Sequence, residues 1–188
     1  MYGLVNRALQ QLVCNRCGDE VWNEIRRRAG VDDEVFVRMD SYPDEITRNL
    51  LMAASIELDT PAEQLLEEFG RYWTRYTMAE GYGALLNDLG PGFQQALNSL
   101  DSMHARVTLL YPVLRPPRFR CEEIAPGRMR LHYWSERSGL APMVIGLVEG
   151  LAERYGLLAK VTLEQRREDG HEHDTFIINL PDGAIHAD

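Results

Sequence analysis

Residues 128–137 read Arg-Met-Arg-Leu-His-Tyr-Trp-Ser-Glu-Arg, and polar and apolar side chains alternate from Arg128 to Tyr133. Alternation of this kind predicts a strand with one buried face. Side chains two apart on a strand leave the same face, so we expect Tyr133, Ser135 and Arg137 to form one row. Such a row can bind paired carboxylates, because the guanidinium binds one carboxylate bidentately and the hydroxyls donate to the remaining carboxylate oxygens. Taken alone, the same triplet would be a solvated strand face.

A histidine that could complete such a site lies upstream, on a predicted helix. His104 shares a helical face with Leu100 and Val107, and a histidine on such a face is usually a packed core residue. If it is a metal ligand, the carbonyl of Leu100, one helical turn earlier, would pair with Nδ1 and leave Nε2 for the metal. One neutral imidazole and a carboxylate clamp are what a protein needs to hold a haem by its iron and its two propionates.

The elements around these residues divide the chain into a helical part and a sheet part. Apolar residues recur with helical spacing in the first part, where Gly18 and Gly30 end the first two helices. Strands are expected at 118–124, 129–135, 157–165 and 175–180, with a turn at 126–127 and an apolar helix from Pro142 between the second and third strands. The expected fold is α+β: an N-terminal helical subdomain followed by a β-β-α-β-β half with a four-stranded antiparallel sheet.

The order of these motifs resembles the haem nitric oxide/oxygen binding (H-NOX) family, which includes the haem domain of soluble guanylate cyclase. The resemblance rests on the start Met-Tyr-Gly-Leu-Val-Asn, the segments Ser-Met-His-Ala-Arg at 102–106 and Arg-Pro-Pro-Arg-Phe at 115–119, the Tyr-x-Ser-x-Arg motif, and Gly-Leu-Ala-Pro-Met at 139–143. It implies a haem b (iron protoporphyrin IX) between the two parts, with His104 as its only protein ligand. It also implies that the propionates are held by Tyr133, Ser135 and Arg137, and that Pro117 presses on the porphyrin.

The resemblance further implies a pocket for a diatomic gas on the other side of the haem. By alignment with the family, the pocket is lined by Val5, Trp73, Met143 and Leu147. Oxygen-binding members carry a tyrosine where this chain has Met143, whose thioether donates no hydrogen bond. We therefore expect the protein to bind NO and CO but not oxygen; the alternative is an oxygen sensor in which Trp73 is the distal donor. A second alternative is a module of the same fold that carries a small apolar molecule and no haem.

The sequence suggests a sensor that signals by contact and catalyses nothing itself. It has no evident nucleotide-binding loop and no nucleophile with a paired base, so we expect no enzymatic activity. The expected partner is a separate signalling protein, such as a histidine kinase or a cyclic-nucleotide enzyme. We expect one domain over residues 1–188, with a distal helical part over about 1–62, a haem-clamping part with the sheet over about 63–180, and a flexible tail over 181–188.

Composition excludes several other classes. A chain of 188 residues with 45% apolar and 26% charged residues has the size and balance of one soluble domain. Its net charge of −9 argues against nucleic-acid and anionic membrane partners. No signal peptide or bilayer-length apolar run is evident, so we expect a cytoplasmic protein with reduced thiols. A zinc site or redox switch would require the fold to bring together Cys14, Cys17, Cys121, His171 and His173.

Overall fold

The computed structural model describes residues 1–32, 35–77, 79–80, 87–111 and 113–181. Within these residues there are six α-helices: α1 (Gly3–Cys17), α2 (Asp19–Ala29), α3 (Asp44–Glu57), α4 (Ala62–Thr77), α5 (Phe93–Leu110) and α6 (Ala141–Arg154). Helices α1 and α2 end at the predicted glycines, since Gly18 and Gly30 both have positive φ angles, of 86° and 65°. Most of the expected tail, residues 182–188, lies outside the described residues.

The second half of the chain forms one antiparallel sheet. Its strands are β1 (Arg118–Ala125), β2 (Arg128–Trp134), β3 (Lys160–Gln165) and β4 (Asp174–Asn179). They lie in the order β1-β2-β4-β3, and every neighbouring pair is antiparallel. The turn at Pro126 and Gly127 joins β1 to β2, and Gly127 has the positive φ that such a turn requires. The predicted α+β fold and its β-β-α-β-β order are therefore confirmed.

The observed strands differ from the predicted ones by one residue at five ends and by three residues at the start of β3, and hydrogen bonds explain two of these differences. Strand β2 ends at Trp134, because beyond it the Ser135 hydroxyl accepts the main-chain N–H of Arg137 at 3.0 Å and closes a turn. Strand β3 begins at Lys160 instead of Leu157, because the Leu157 N–H donates to the carbonyl of Ala152 at 3.0 Å and closes the end of α6.

The apolar side chains form two cores, and α6 contributes to both. The helical core is built from α1 to α4 and includes Leu9, Ile25, Leu50, Leu65 and Phe69. The sheet core lies between the sheet and helices α5 and α6, and includes Leu97, Leu131, Val144, Phe176 and Ile178. Met143 of α6 packs against the helical core, while its neighbour Val144 belongs to the sheet core. Helix α6 is thus the element shared by the two halves.

Helices α4 and α6 cross at a distance that only glycine permits. A Cβ on Gly146 would overlap the backbone of Glu67, and a Cβ on Gly70 would overlap the backbone of Met143. Beside this crossing, Arg71 Nε donates to Glu149 Oε2 at 3.0 Å, which ties α4 to α6. None of the helices in the described part of the chain is long and apolar enough to cross a membrane.

Candidate functional site

His104 lies in the second half of α5, and its ring is held in one orientation. Its Nδ1 lies 2.9 Å from the carbonyl oxygen of Leu100, which confirms the pairing expected from helical spacing. Burial lowers the pKa of His104, although the Leu100 carbonyl and the nearby Asp101 act in the opposite direction. The imidazole is therefore neutral near pH 7, with Nδ1 as the donor and Nε2 carrying the lone pair. A neutral nitrogen with an oriented ring is the form in which histidine binds a metal.

Phe119 connects this histidine to the sheet, a role that the sequence did not reveal. Its ring stacks on the imidazole of His104 with centroids 5.5 Å apart and an interplanar angle of 22°. Its main-chain N–H donates to Asp101 Oδ1 at 3.1 Å, so β1 is also tied to α5. On the other side its ring meets Tyr133, with centroids 5.3 Å apart. The only available signal was the position of Phe119 in the Arg-Pro-Pro-Arg-Phe stretch.

Tyr133 is the first member of the expected carboxylate clamp, and it lies on the inner face of β2. Its side chain is only 4% exposed. Burial raises the pKa of its phenol, and a hydrogen bond with Ser135 opposes that shift only in part. The phenol therefore stays protonated and remains able to donate. The neighbouring His132 points to the other face, where its Nδ1 lies 2.8 Å from Nε2 of His173.

Ser135 and Arg137 lie in the loop between β2 and α6, so the expectation of three side chains on one strand face was wrong. The structure nevertheless brings them together, because Ser135 is close enough to Tyr133 to act on the pKa of its phenol and accepts the main-chain N–H of Arg137. The Arg137 guanidinium already binds a carboxylate: its Nε donates to Asp44 Oδ2 at 2.9 Å. A second donor of the same group reaches the carbonyl of Arg115 at 2.9 Å.

Asp44, at the start of α3, is a further residue that sequence analysis missed. Its carboxylate binds the N-terminal ammonium of Met1 as well as Arg137. Burial acts to raise the pKa of Asp44, but the ammonium and the guanidinium outweigh it and hold the pKa below its usual value. Asp44 thus links the helical half to the loop between β2 and α6 that carries Ser135 and Arg137, the clamp loop. Its carboxylate is the kind of partner to which an arginine donates charge-assisted hydrogen bonds, as Arg137 does here.

The residues expected on the distal side lie along the helical core. Val5, Trp73 and Met143 are half-buried and pack against that core. Trp73 lies between Phe69 and Tyr76, with ring centroids 6.1 and 6.2 Å away. Leu147 belongs to the α4–α6 crossing, since its main-chain N faces Gly70. Pro117 is half-buried and immediately precedes β1. By contrast, the residues near His104 on α5, Leu100 and Met103, pack against the sheet core.

The alternative zinc site is not assembled in the part of the chain that is described. Cys14 packs against the helical core, whereas Cys121 packs against the sheet core. Among the described residues no group of three or more histidine, cysteine or acidic side chains could hold a metal ion. His173 pairs with His132 instead, on the outer face of the sheet.

The sequence resembles known proteins over most of its length. The sequence profile of a family described as Haem-NO-binding matches residues 2–164. The chain is 32% identical over 196 residues to soluble guanylate cyclase gcy-35 of Caenorhabditis elegans, and the match covers 98% of this chain but 28% of that protein. It is 37% identical over 122 residues to guanylate cyclase soluble subunit beta-2 of Rattus norvegicus, covering 62% of this chain and 18% of that subunit. The chain therefore spans under a third of the length of these relatives.

Solved structures share the fold. An H-NOX protein from S. oneidensis in the Fe(II)NO ligation state superposes with a TM-score of 0.85 at 22% identity, covering 96% of this chain and 99% of that one. An unliganded Fe(II) H-NOX protein from K. algicida gives a TM-score of 0.82 at 24% identity, with 96% of each chain covered. At these identities the likeness establishes the fold and no more.

Proposed function

The chain belongs to the Haem-NO-binding family, a family of haem-based gas-sensor domains that are not themselves catalytic, and we propose that it senses NO through a b-type haem. The observation that carries the proposal is the neutral, oriented imidazole of His104, whose Nδ1 is held by Leu100. Its Nε2 would bind the iron, and Tyr133, Ser135 and Arg137 would hold the propionates. The bound haem would supply an iron atom that takes a diatomic gas.

The donor set fits such a group. The two propionates of a haem need hydrogen-bond donors. Arg137 already donates a charge-assisted hydrogen bond to the carboxylate of Asp44. The phenol of Tyr133 stays protonated, and so able to donate, because it is buried. Pro117, just before β1, would press on the porphyrin. We propose a distal part over about 1–62 and a clamping part over about 63–180, and the helical core joins them because it includes Leu65 and Phe69 of α4. Val5, Trp73, Met143 and Leu147 would line the distal side.

In the proposed trigger His104 would hold the iron, and NO bound at the haem would weaken that hold and free the imidazole, so that α5 could shift. Helix α5 is connected to β1 by the Asp101–Phe119 hydrogen bond and by the stacking of Phe119 on His104. A shift of α5 would therefore move the sheet half relative to the helical half, across the α4–α6 crossing. The two halves would then have two relative positions, and a ligand that binds one of them more tightly can shift the equilibrium between them. A change in the angle between the halves would alter the surface presented to a partner.

The direct test replaces His104 by glycine. The purified variant should lack a Soret band and regain it when imidazole is added, since free imidazole can occupy the vacated position. His132→Gly is the matched control, because His132 lies on the outer face of the sheet, and it should load haem like the unaltered protein. Full loading of His104→Gly without imidazole contradicts the assignment. An unaltered protein that takes up no haem would favour a module for a small apolar ligand.

We propose NO and CO as the gases because Met143 donates no hydrogen bond to a bound ligand. Bound oxygen carries partial negative charge and gains from a donor, which is worth roughly 1–3 kcal/mol in a site shielded from water. The reduced protein in air should oxidise without forming an oxy band, and Met143→Tyr should create one. A stable oxy form in the unaltered protein that is lost in Trp73→Phe would instead assign the donor to Trp73.

The proposed output is a contact with a signalling protein, either a histidine kinase or a cyclic-nucleotide enzyme. The second class is supported by the names of the relatives, which are guanylate cyclases. The prediction is that NO-bound and NO-free protein change the activity of the cognate enzyme to different extents. Equal activities with the two forms would contradict a signalling role.

A further inference from the structure

A short turn between β3 and β4 reaches the loop that carries the clamp. This turn is a 3-10 helix over Arg167–Asp169. The guanidinium of Arg167 donates to the main-chain carbonyl of Ser135, and Glu168 Oε1 accepts the main-chain N–H of Gly139 at 3.0 Å. The two contacts hold the clamp loop on either side of Arg137, at Ser135 and at Gly139.

The turn is itself anchored next to Tyr133. The main-chain N–H of Arg167 donates to Asp174 Oδ1 at 2.7 Å, and Asp174 is only 8% exposed. Asp174 begins β4 and is the cross-strand partner of Tyr133 on β2. The pairing of β2 with β4 thus fixes the position of the 3-10 turn relative to Tyr133. The turn then holds the loop that carries Ser135 and Arg137.

We propose that Arg167 and Glu168 are positioning residues for the propionate clamp. This inference rests on the proposed haem-binding function. Ser135 and Arg137 lie beyond the end of β2, so no strand-to-strand hydrogen bonds hold their main chain, and a clamp on a loose loop loses entropy whenever it closes on a ligand. Arg167 and Glu168 reduce this cost by holding the loop in place before the propionates arrive.

The charges of the two side chains suit this role. An arginine that donates to a carbonyl and a carboxylate that accepts a main-chain N–H both make charge-assisted hydrogen bonds, which are stronger than neutral ones. The bond from Gly139 also holds the pKa of Glu168 below its usual value, so the carboxylate is charged at neutral pH. Neither Arg167 nor Glu168 touches the propionates in this proposal; both act through Ser135 and Arg137.

The test measures how fast haem leaves the loaded protein for excess apomyoglobin. Arg167→Gln and Glu168→Gln should each release haem roughly tenfold faster, the effect of losing one charge-assisted hydrogen bond, and Arg167→Lys should recover most of the loss. The matched controls are Arg166→Gln and Asp169→Asn. Arg166 forms an ion pair with Glu63 at 3.7 Å and Asp169 is exposed, so both controls should release haem at the unaltered rate.

A double-mutant cycle separates positioning from general destabilisation. If Arg167 acts through the clamp, Arg167→Gln should have little further effect on haem release in an Arg137→Gln background. Full additivity, or equal rates for Arg167→Gln and Arg166→Gln, would overturn the inference while leaving the proposed function intact. If Arg167→Gln fails to fold by circular dichroism, Glu168→Gln in the same cycle carries the test. Failure of the unaltered protein to bind haem would overturn the proposed function and this inference together.

Discussion

Replacing Gly146 by alanine should destabilise the protein at the contact between its two halves. The added methyl would overlap the Glu67 carbonyl, lying 2.7 Å from its carbon and 3.0 Å from the main-chain N of Arg71. Carbon atoms in contact prefer about 3.5–4.0 Å, so α4 and α6 would have to separate by roughly 1 Å. Overpacking costs about 1–3 kcal/mol, and we expect about 3 kcal/mol, since the opposing atoms are backbone and cannot rotate away.

The matched control for this variant is Gly92→Ala. Gly92 has no atom within 4 Å of its would-be methyl and a φ of −126°, which alanine tolerates. Both substitutions reduce the entropy of the unfolded chain similarly. Alanine is a poorer N-cap than glycine at Gly92 and a better helix former at Gly146, so a larger loss at Gly146 reports the crossing. Urea unfolding followed by circular dichroism should give a lower midpoint for Gly146→Ala and a nearly unchanged one for Gly92→Ala. Equal midpoints would refute the argument that close α4–α6 packing holds the halves together.

Three further predictions follow from individual side chains. Arg137→Gln should release haem to apomyoglobin about tenfold faster, whereas Arg120→Gln on the exposed outer face of the sheet should not; equal rates for the two would remove Arg137 from the clamp. Burial lowers the pKa of His104 below 6.5, so the unfolded chain binds its proton more readily and the haem-free protein should lose stability as the pH falls below 6.5. Denaturation across pH should show a flatter profile for His104→Gln, and an unchanged profile would contradict the buried neutral form. Burial raises the pKa of Cys14 and of Cys121 to about 11, so mass spectrometry should find both slow to react with iodoacetamide at about pH 7.5 until the protein is unfolded; rapid labelling of either in the folded protein would count against its burial.

Features that depend on nearby residues could be predicted from the sequence. Helix α2 ends at Gly30 because glycine adopts the left-handed conformation without strain, and Gly127 turns the chain between β1 and β2 for the same reason. The hydrogen bond between His104 and Leu100 joins residues one helical turn apart, so it follows from helix geometry alone. The motif order from residue 1 to 143 was enough to identify the family.

Contacts between distant segments were decided only by the tertiary structure. Asp44 and Arg137 are 93 residues apart, and Arg167 lies 32 residues from Ser135, so no local pattern links them. Their positions result from burial of the two apolar cores. The hydrophobic effect that drives this burial is non-directional, so it does not specify in advance which polar side chains will meet. The sequence determined the chemistry of the proposed haem-binding residues, because a metal-binding nitrogen or a carboxylate-binding donor belongs to the side chain itself. Packing of the whole chain decided which other residues orient them.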